Sequence, residues 1–273
     1  MRIVSPGHAV FAAAMIALGV LGLIRGDFTV VWQPVPKGVP GREFLVYLCA
    51  SVSIASGVGL LWRRTAGLAA RVLLAWLVLW FLVWRVRALF IASFVEGTWS
   101  CAETMVITAA AWVLYVCFAS DWDRQHLGFA TGDSGVRIAR VLYGLAMIPF
   151  GYAHFAYLKH TAEMVPGWLP WHLFWAYFFG TTFVAAGVAI LIGLYARLAA
   201  VLTTLQLGLF TLLVWVPRVA AGSLSAFERN EFEISCALTA ASWVVADSYR
   251  GMPWLRKRGR APGLAIPAGV RSV

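Results

Sequence analysis

Charge is what this chain has least of. Asp, Glu, Lys and Arg together make up 12% of its 273 residues, against 61% hydrophobic ones. That balance lies far outside the range of water-soluble domains and excludes an ordinary soluble enzyme. The chain also has no phosphate-binding loop, no nucleophile motif and no dinucleotide fingerprint, so nothing points to nucleotide-driven or acyl-transfer chemistry. Four cysteines occur without a C-x-x-C pair, which excludes a thiol-exchange centre of the sequential kind. Cys49, Cys101, Cys117 and Cys236 all fall in or beside apolar runs, where a thiol packs as a small hydrophobe.

What is present instead is length of apolar run. Several runs reach the ~20 residues a helix needs to cross a bilayer. They are too long and too uniformly apolar for alternating barrel strands, so backbone satisfaction in lipid leaves the helical solution. The expectation is all-α: a polytopic bundle of eight membrane helices at 8–24, 43–62, 66–86, 101–119, 137–158, 172–192, 196–216 and 231–248. The first run follows Arg2 and has a faint cleavage-like Ala17-Leu18-Gly19. Its counterpart, Arg137 to Leu158, lies mid-chain, so both are read as retained helices.

The runs repeat. Pro40, Phe44, Tyr47, Ala55, Gly57 and Ala66 recur 130 positions later as Pro170, Phe174, Tyr177, Ala185, Gly187 and Ala196, and 15 of the 49 positions in this window are identical. Ala, Leu and Val matches come easily in apolar helices; Pro, Phe, Tyr and Gly in register carry the inference. A repeat sets architecture before any local reading. It divides the chain into a first four-helix module at 1–119, a polar linker at 120–136, a second module at 137–248 and a basic tail at 249–273. The halves form a tandem 4+4 repeat in the same orientation.

Basic residues set the expected topology. This map places 14 Lys and Arg on the side of the termini and eight on the other, where eight acids balance them. The positive-inside rule then puts both termini in the cytoplasm, with the bacterial inner membrane as the site. The formal +10 charge is a property of that face. It suits anionic lipid headgroups at the tail rather than nucleic acid.

Two proline-containing outer loops, 25–42 and 159–170, are expected to fold against the membrane surface, with Trp32 at the interface. Trp76, Trp80 and Trp84 share one face of the third helix. Arg85 and Arg87 follow them, placed to snorkel outward. Gly57 and Gly187 suit close helix packing.

Ionisable groups at depth are the pointers to function in such a protein. Tyr152, His154 and Tyr157 lie in the outer half of the fifth helix, His172 and Tyr177 at the start of the sixth. Glu103 and Glu233 are repeat equivalents near the outer ends of the fourth and eighth. Together with Arg85 they form the candidate ligand-binding set, gathered in a pocket for a quinone headgroup, a lipid headgroup or a small apolar ligand. Plainer roles stand beside this one. His154 suits a hydrogen-bonded interior histidine, Glu103 and Glu233 suit hydrated helix ends, and Thr203 and Gln206 suit bridges between helices. No metal site is expected, since His154 and His160 are six apart and cannot share a helix face.

Arg140-Val141-Leu142-Tyr143-Gly144 through Gly151-Tyr152-Ala153-His154, with Gly187 and then Gly193-Leu194-Tyr195-Ala196-Arg197-Leu198-Ala199-Ala200, resembles the DoxX/DoxD-like membrane family. The resemblance covers most of 137–248 and, more faintly, 8–119. It implies two fused four-helix modules, since that family is a four-helix module named from a small subunit of a terminal quinol oxidase. An acidic residue often found about one turn before the glycine is replaced here by Ser53 and Phe183. The resemblance implies an accessory, ligand-binding membrane protein with a membrane redox partner or a second copy of itself. A quinol-linked oxidoreductase subunit using His154, Glu103 and Glu233 is the alternative, and a small-solute transporter the third.

Overall fold

The computed structural model describes residues 5–222 and 225–255, and among them every regular element is helical. Arg2 and the basic residues from Arg256 onward, on which part of the topology and headgroup expectations rest, lie outside the described residues. Among the described residues ten helices, apart from two single 3-10 turns, run in order: α1 Pro6–Arg25, α2 Arg42–Leu61, α3 Ala66–Ile91, α4 Phe94–Phe118, α5 Asp121–His126, α6 Gly132–Ala156, α7 Leu158–Met164, α8 His172–Ile192, α9 Ala196–Ala220 and α10 Ala226–Asp247. Six of them, α1, α2, α3, α4, α8 and α9, are long and apolar enough to cross a membrane. A seventh crossing is made if α6 and α7, bent by 93° at their junction, count as one broken span. The early part of α10 carries Glu228, Arg229, Glu231 and Glu233, and this helix does not meet the same standard of length and composition.

Capping chemistry explains where the helices start. The Ser5 hydroxyl accepts from the His8 N–H ahead of Pro6, and the Ser93 hydroxyl accepts from the Glu96 N–H. Ser225 and Glu228 form a reciprocal capping box. These caps begin α4 and α10 several residues before their apolar runs, which is why both are longer than hydropathy alone suggests.

Small residues bring helices together at recurring positions. A Cβ on Gly57 would lie 2.7 Å from the Ala12 carbonyl oxygen, and one on Gly187 would lie 2.7 Å from that of Gly144. Gly19 likewise faces the Ala50 carbonyl oxygen at 2.7 Å, and Gly151 that of Gly180 at 2.5 Å. Partners in α1 and α6 are thus 132 apart, while those in α2 and α8 are 130 apart. Both close crossings need a residue without a side chain. Packing is reciprocal: α1 lies on α2 and α10, α6 lies on α8 and α4, and α4 meets α10 between them. In α4, 72% of the apolar window is buried, against 28% in α8, which makes α4 central and α8 peripheral.

Long helices α3 and α9 each contain one π-helical turn, Phe81–Arg85 and Thr211–Trp215, again 130 apart. Such a turn inserts an extra residue and rotates the rest of the helix about its axis. This overturns the snorkelling expectation for Arg85, whose side chain is turned inward and only 2% exposed. Arg87 is exposed as expected.

One other expectation changes. Trp32 is not at an interface but 1% exposed inside the bundle. The polar linker is structured: Ser120 and Asp123 cap α5, and Asp123 also receives hydrogen bonds from Arg71 (2.7 Å) and Tyr115 (2.9 Å). Burial opposes the Asp123 charge, yet these donors hold its carboxyl at about 2. The start of the tail is docked, with Arg140 over the Tyr249 ring at 3.8 Å and Arg197 over Trp254 at 4.0 Å.

Candidate functional site

A cavity of about 690 Å³ opens between α4, α6, α8, α9 and α10, at the end of the bundle that carries the loops 26–41 and 165–171. Its floor is aromatic and aliphatic: Phe150, Phe183, Leu207, Phe210, Val214, Trp215 and Leu238. One wall is α7 with the segment after it, through His160, Thr161, Met164, Pro166 and Trp168. The sharp turn at Tyr157 sends α7 across the bundle, and Pro166 ends the next turn of chain.

Polar groups on this apolar surface are few. His154 is held by a hydrogen bond between Nδ1 and the Phe150 carbonyl (2.8 Å), with its ring 5.3 Å from that of Phe183. Gln206 accepts from the Thr182 hydroxyl (2.8 Å) and donates to the Phe179 carbonyl (3.3 Å), bridging α8 and α9 as expected while also facing the cavity. Three carboxylates, Glu96, Glu103 and Glu231, border the cavity, and among the described residues no Lys or Arg does.

Of the eight residues singled out from sequence, the cavity gathers three: His154, Tyr157 and Glu103. Arg85 stands behind Glu103, its Nη1 3.8 Å from the carboxylate, and it also hydrogen-bonds the Ser100 hydroxyl and the Val30 carbonyl (3.1 Å). Glu233, 7% exposed, is paired with Arg25 at 2.5 Å in the other half of the bundle. Tyr152 packs on Phe94, and Tyr177 on Phe155, each half exposed on the apolar outer surface. His172 lines a separate open recess of about 280 Å³ with Lys159 and Glu163. The eight therefore do not form one pocket, and Glu103 and Glu233 face different parts of the bundle.

Glu231, Trp99, Phe210 and Trp215 border the cavity without having been singled out. Glu231 lies just past a helix start set by the Ser225 cap, and that cap was the signal available. Among the described residues no three His, Cys, Asp or Glu converge as metal ligands. The arrangement can enclose an apolar molecule and offer its polar end a histidine, an amide and carboxylates. No family model, curated protein or solved structure matches the chain.

Proposed function

We propose that this chain is a DoxX-like integral membrane protein. In this reading two four-helix modules, α1–α4 and α6 with α8–α10, are fused in the same orientation, giving eight crossings. The second module holds a pocket for a quinone, a lipid or another small apolar molecule, and the protein serves as an accessory or binding component. It sits in the bacterial inner membrane with both termini cytoplasmic, its basic tail at anionic headgroups, and works beside a redox partner or a second copy. Paired π turns 130 positions apart and the matching glycine crossings support the duplication.

The observation that carries the binding role is the 690 Å³ cavity, apolar in its walls and sparing in its polar groups. Ala176 lines it and is buried, so Ala176→Trp fills the space from within. Native mass spectrometry in mild detergent should find one small-molecule equivalent on the wild type and none on the variant, with a cooperative melting transition in both. No adduct on the wild type, or the same adduct on both, sinks the proposal.

A quinol-linked oxidoreductase subunit is the second reading. It is favoured by the presence of His154 and Glu103 on one cavity, two groups able to take up and pass on protons. Solvent extraction of the purified protein would then yield a quinone.

A further inference from the structure

In the first half of the chain the corresponding place is occupied by its own loop. Phe28, Val30, Val31 and Trp32 are buried there. Three contacts fix this plug. Trp32 Nε1 donates to the Ser53 hydroxyl (2.9 Å), Trp80 Nε1 donates to the Trp32 carbonyl (2.9 Å), and Arg85 donates to the Val30 carbonyl (3.1 Å). The Trp32 and Trp80 rings meet edge to face at 5.7 Å.

Each anchor has a counterpart 130 positions later: Phe183 for Ser53, Phe210 for Trp80 and Trp215 for Arg85. All three counterparts line the open cavity. The second loop builds the cavity wall through α7 instead of entering it. One polar group is left over as well. Trp215 is fully buried, and its Nε1 has no hydrogen-bond partner, at the place where Arg85 donates to the plug. An unpaired buried donor costs free energy that an acceptor from outside would recover.

We propose that the second cavity takes a lipophilic molecule whose inner end is a planar aromatic ring bearing an oxygen acceptor. The ring takes the place of the Trp32 indole, and the acceptor meets Trp215 Nε1 once that enclosed indole turns toward the cavity, as the plug's carbonyls meet Trp80 and Arg85. This rests on the cavity being a binding site and on the duplicated frame, and it names the class of ligand.

Three neutral probes of similar size separate the ideas: octanophenone (ring and carbonyl), octylbenzene (ring alone) and 2-tetradecanone (carbonyl alone). Calorimetry on the detergent-solubilised full chain is expected to rank octanophenone first, about tenfold tighter than either other probe, a difference worth about 1.4 kcal/mol. Trp215→Phe should erase its advantage over octylbenzene. Trp32→Gly, which empties the first site, should add a second equivalent of octanophenone. If 2-tetradecanone or octylbenzene binds the wild type as well as octanophenone, the ligand class is wrong while the binding reading stands. If no probe binds and nothing co-purifies, both fall. Should Trp32→Gly fail to fold, the wild-type ranking and Trp215→Phe decide the matter.

Discussion

Gly151→Val is expected to destabilise the protein by about 3 kcal/mol or more, at the upper end of what overpacking costs. A Cβ at this position would lie 2.5 Å from the Gly180 carbonyl oxygen and 2.5 Å from Val184 Cγ2. The carbonyl belongs to the backbone of α8 and cannot swing aside, so α6 and α8 would have to separate along their whole crossing. That crossing also holds Gly144 against Gly187, so the loss spreads to a second contact. Thermal unfolding in detergent checks it. Gly208→Ala is the matched control, since its nearest foreign atom would be Thr239 Cγ2 at 3.5 Å, an ordinary contact. There the gain in helix propensity, up to about 1 kcal/mol, should leave stability equal or higher.

Arg25→Met is expected to cost about 2 kcal/mol, between what an exposed pair and a fully buried one lose, because Arg25 is 36% exposed while Glu233 is 7% exposed. The loss comes mainly from Glu233, which is buried and would keep a carboxylate without its 2.5 Å partner. Removing the carboxylate as well reverses most of it: Arg25→Met with Glu233→Gln should recover more than half of the lost stability. A double-mutant cycle on the melting transition measures this coupling. Equal losses in the single and double variants would mean that Arg25 acts through packing of its stem alone. The pair joins α1 to α10, and so ties together the first and last helices among the described residues.

How much of this was legible in the sequence depends on what kind of signal each feature leaves. The starts and ends of α2, α8 and α9 were readable to within a few residues because hydropathy, Gly193 and the Pro40 and Pro170 positions mark them directly. The glycine crossings were readable as packing sites, though not their partners. The π turns were not, since a change of one residue in hydrogen-bond register leaves no compositional trace. With them went the inward turn of Arg85 and its place behind Glu103.

Trp32 was misplaced for a related reason. An indole beside three prolines suits a membrane interface equally well, and only the position of Ser53, 21 residues away, distinguishes a plug from an anchor. For the site, the sequence supplied His154, Tyr157 and Glu103 because ionisable and aromatic polar groups stand out in apolar helices. It did not supply the cavity itself, which is a space left by a loop that goes elsewhere. Nor did it separate Glu103 from Glu233, which are 130 positions apart and have different neighbours.

The central claim is that the two halves face the same way, so that a filled site and an open one lie at the same side of the membrane. Single cysteines in place of Gly38 and Gly167, on a background without the four native ones, test it most directly. Both positions are exposed, and neither has a foreign atom within 4 Å of an added Cβ. In intact cells a membrane-impermeant maleimide should label both, and should leave Arg63→Cys and Arg124→Cys unlabelled until the membrane is opened. Labelling of Gly38→Cys and Gly167→Cys from opposite sides would contradict the account.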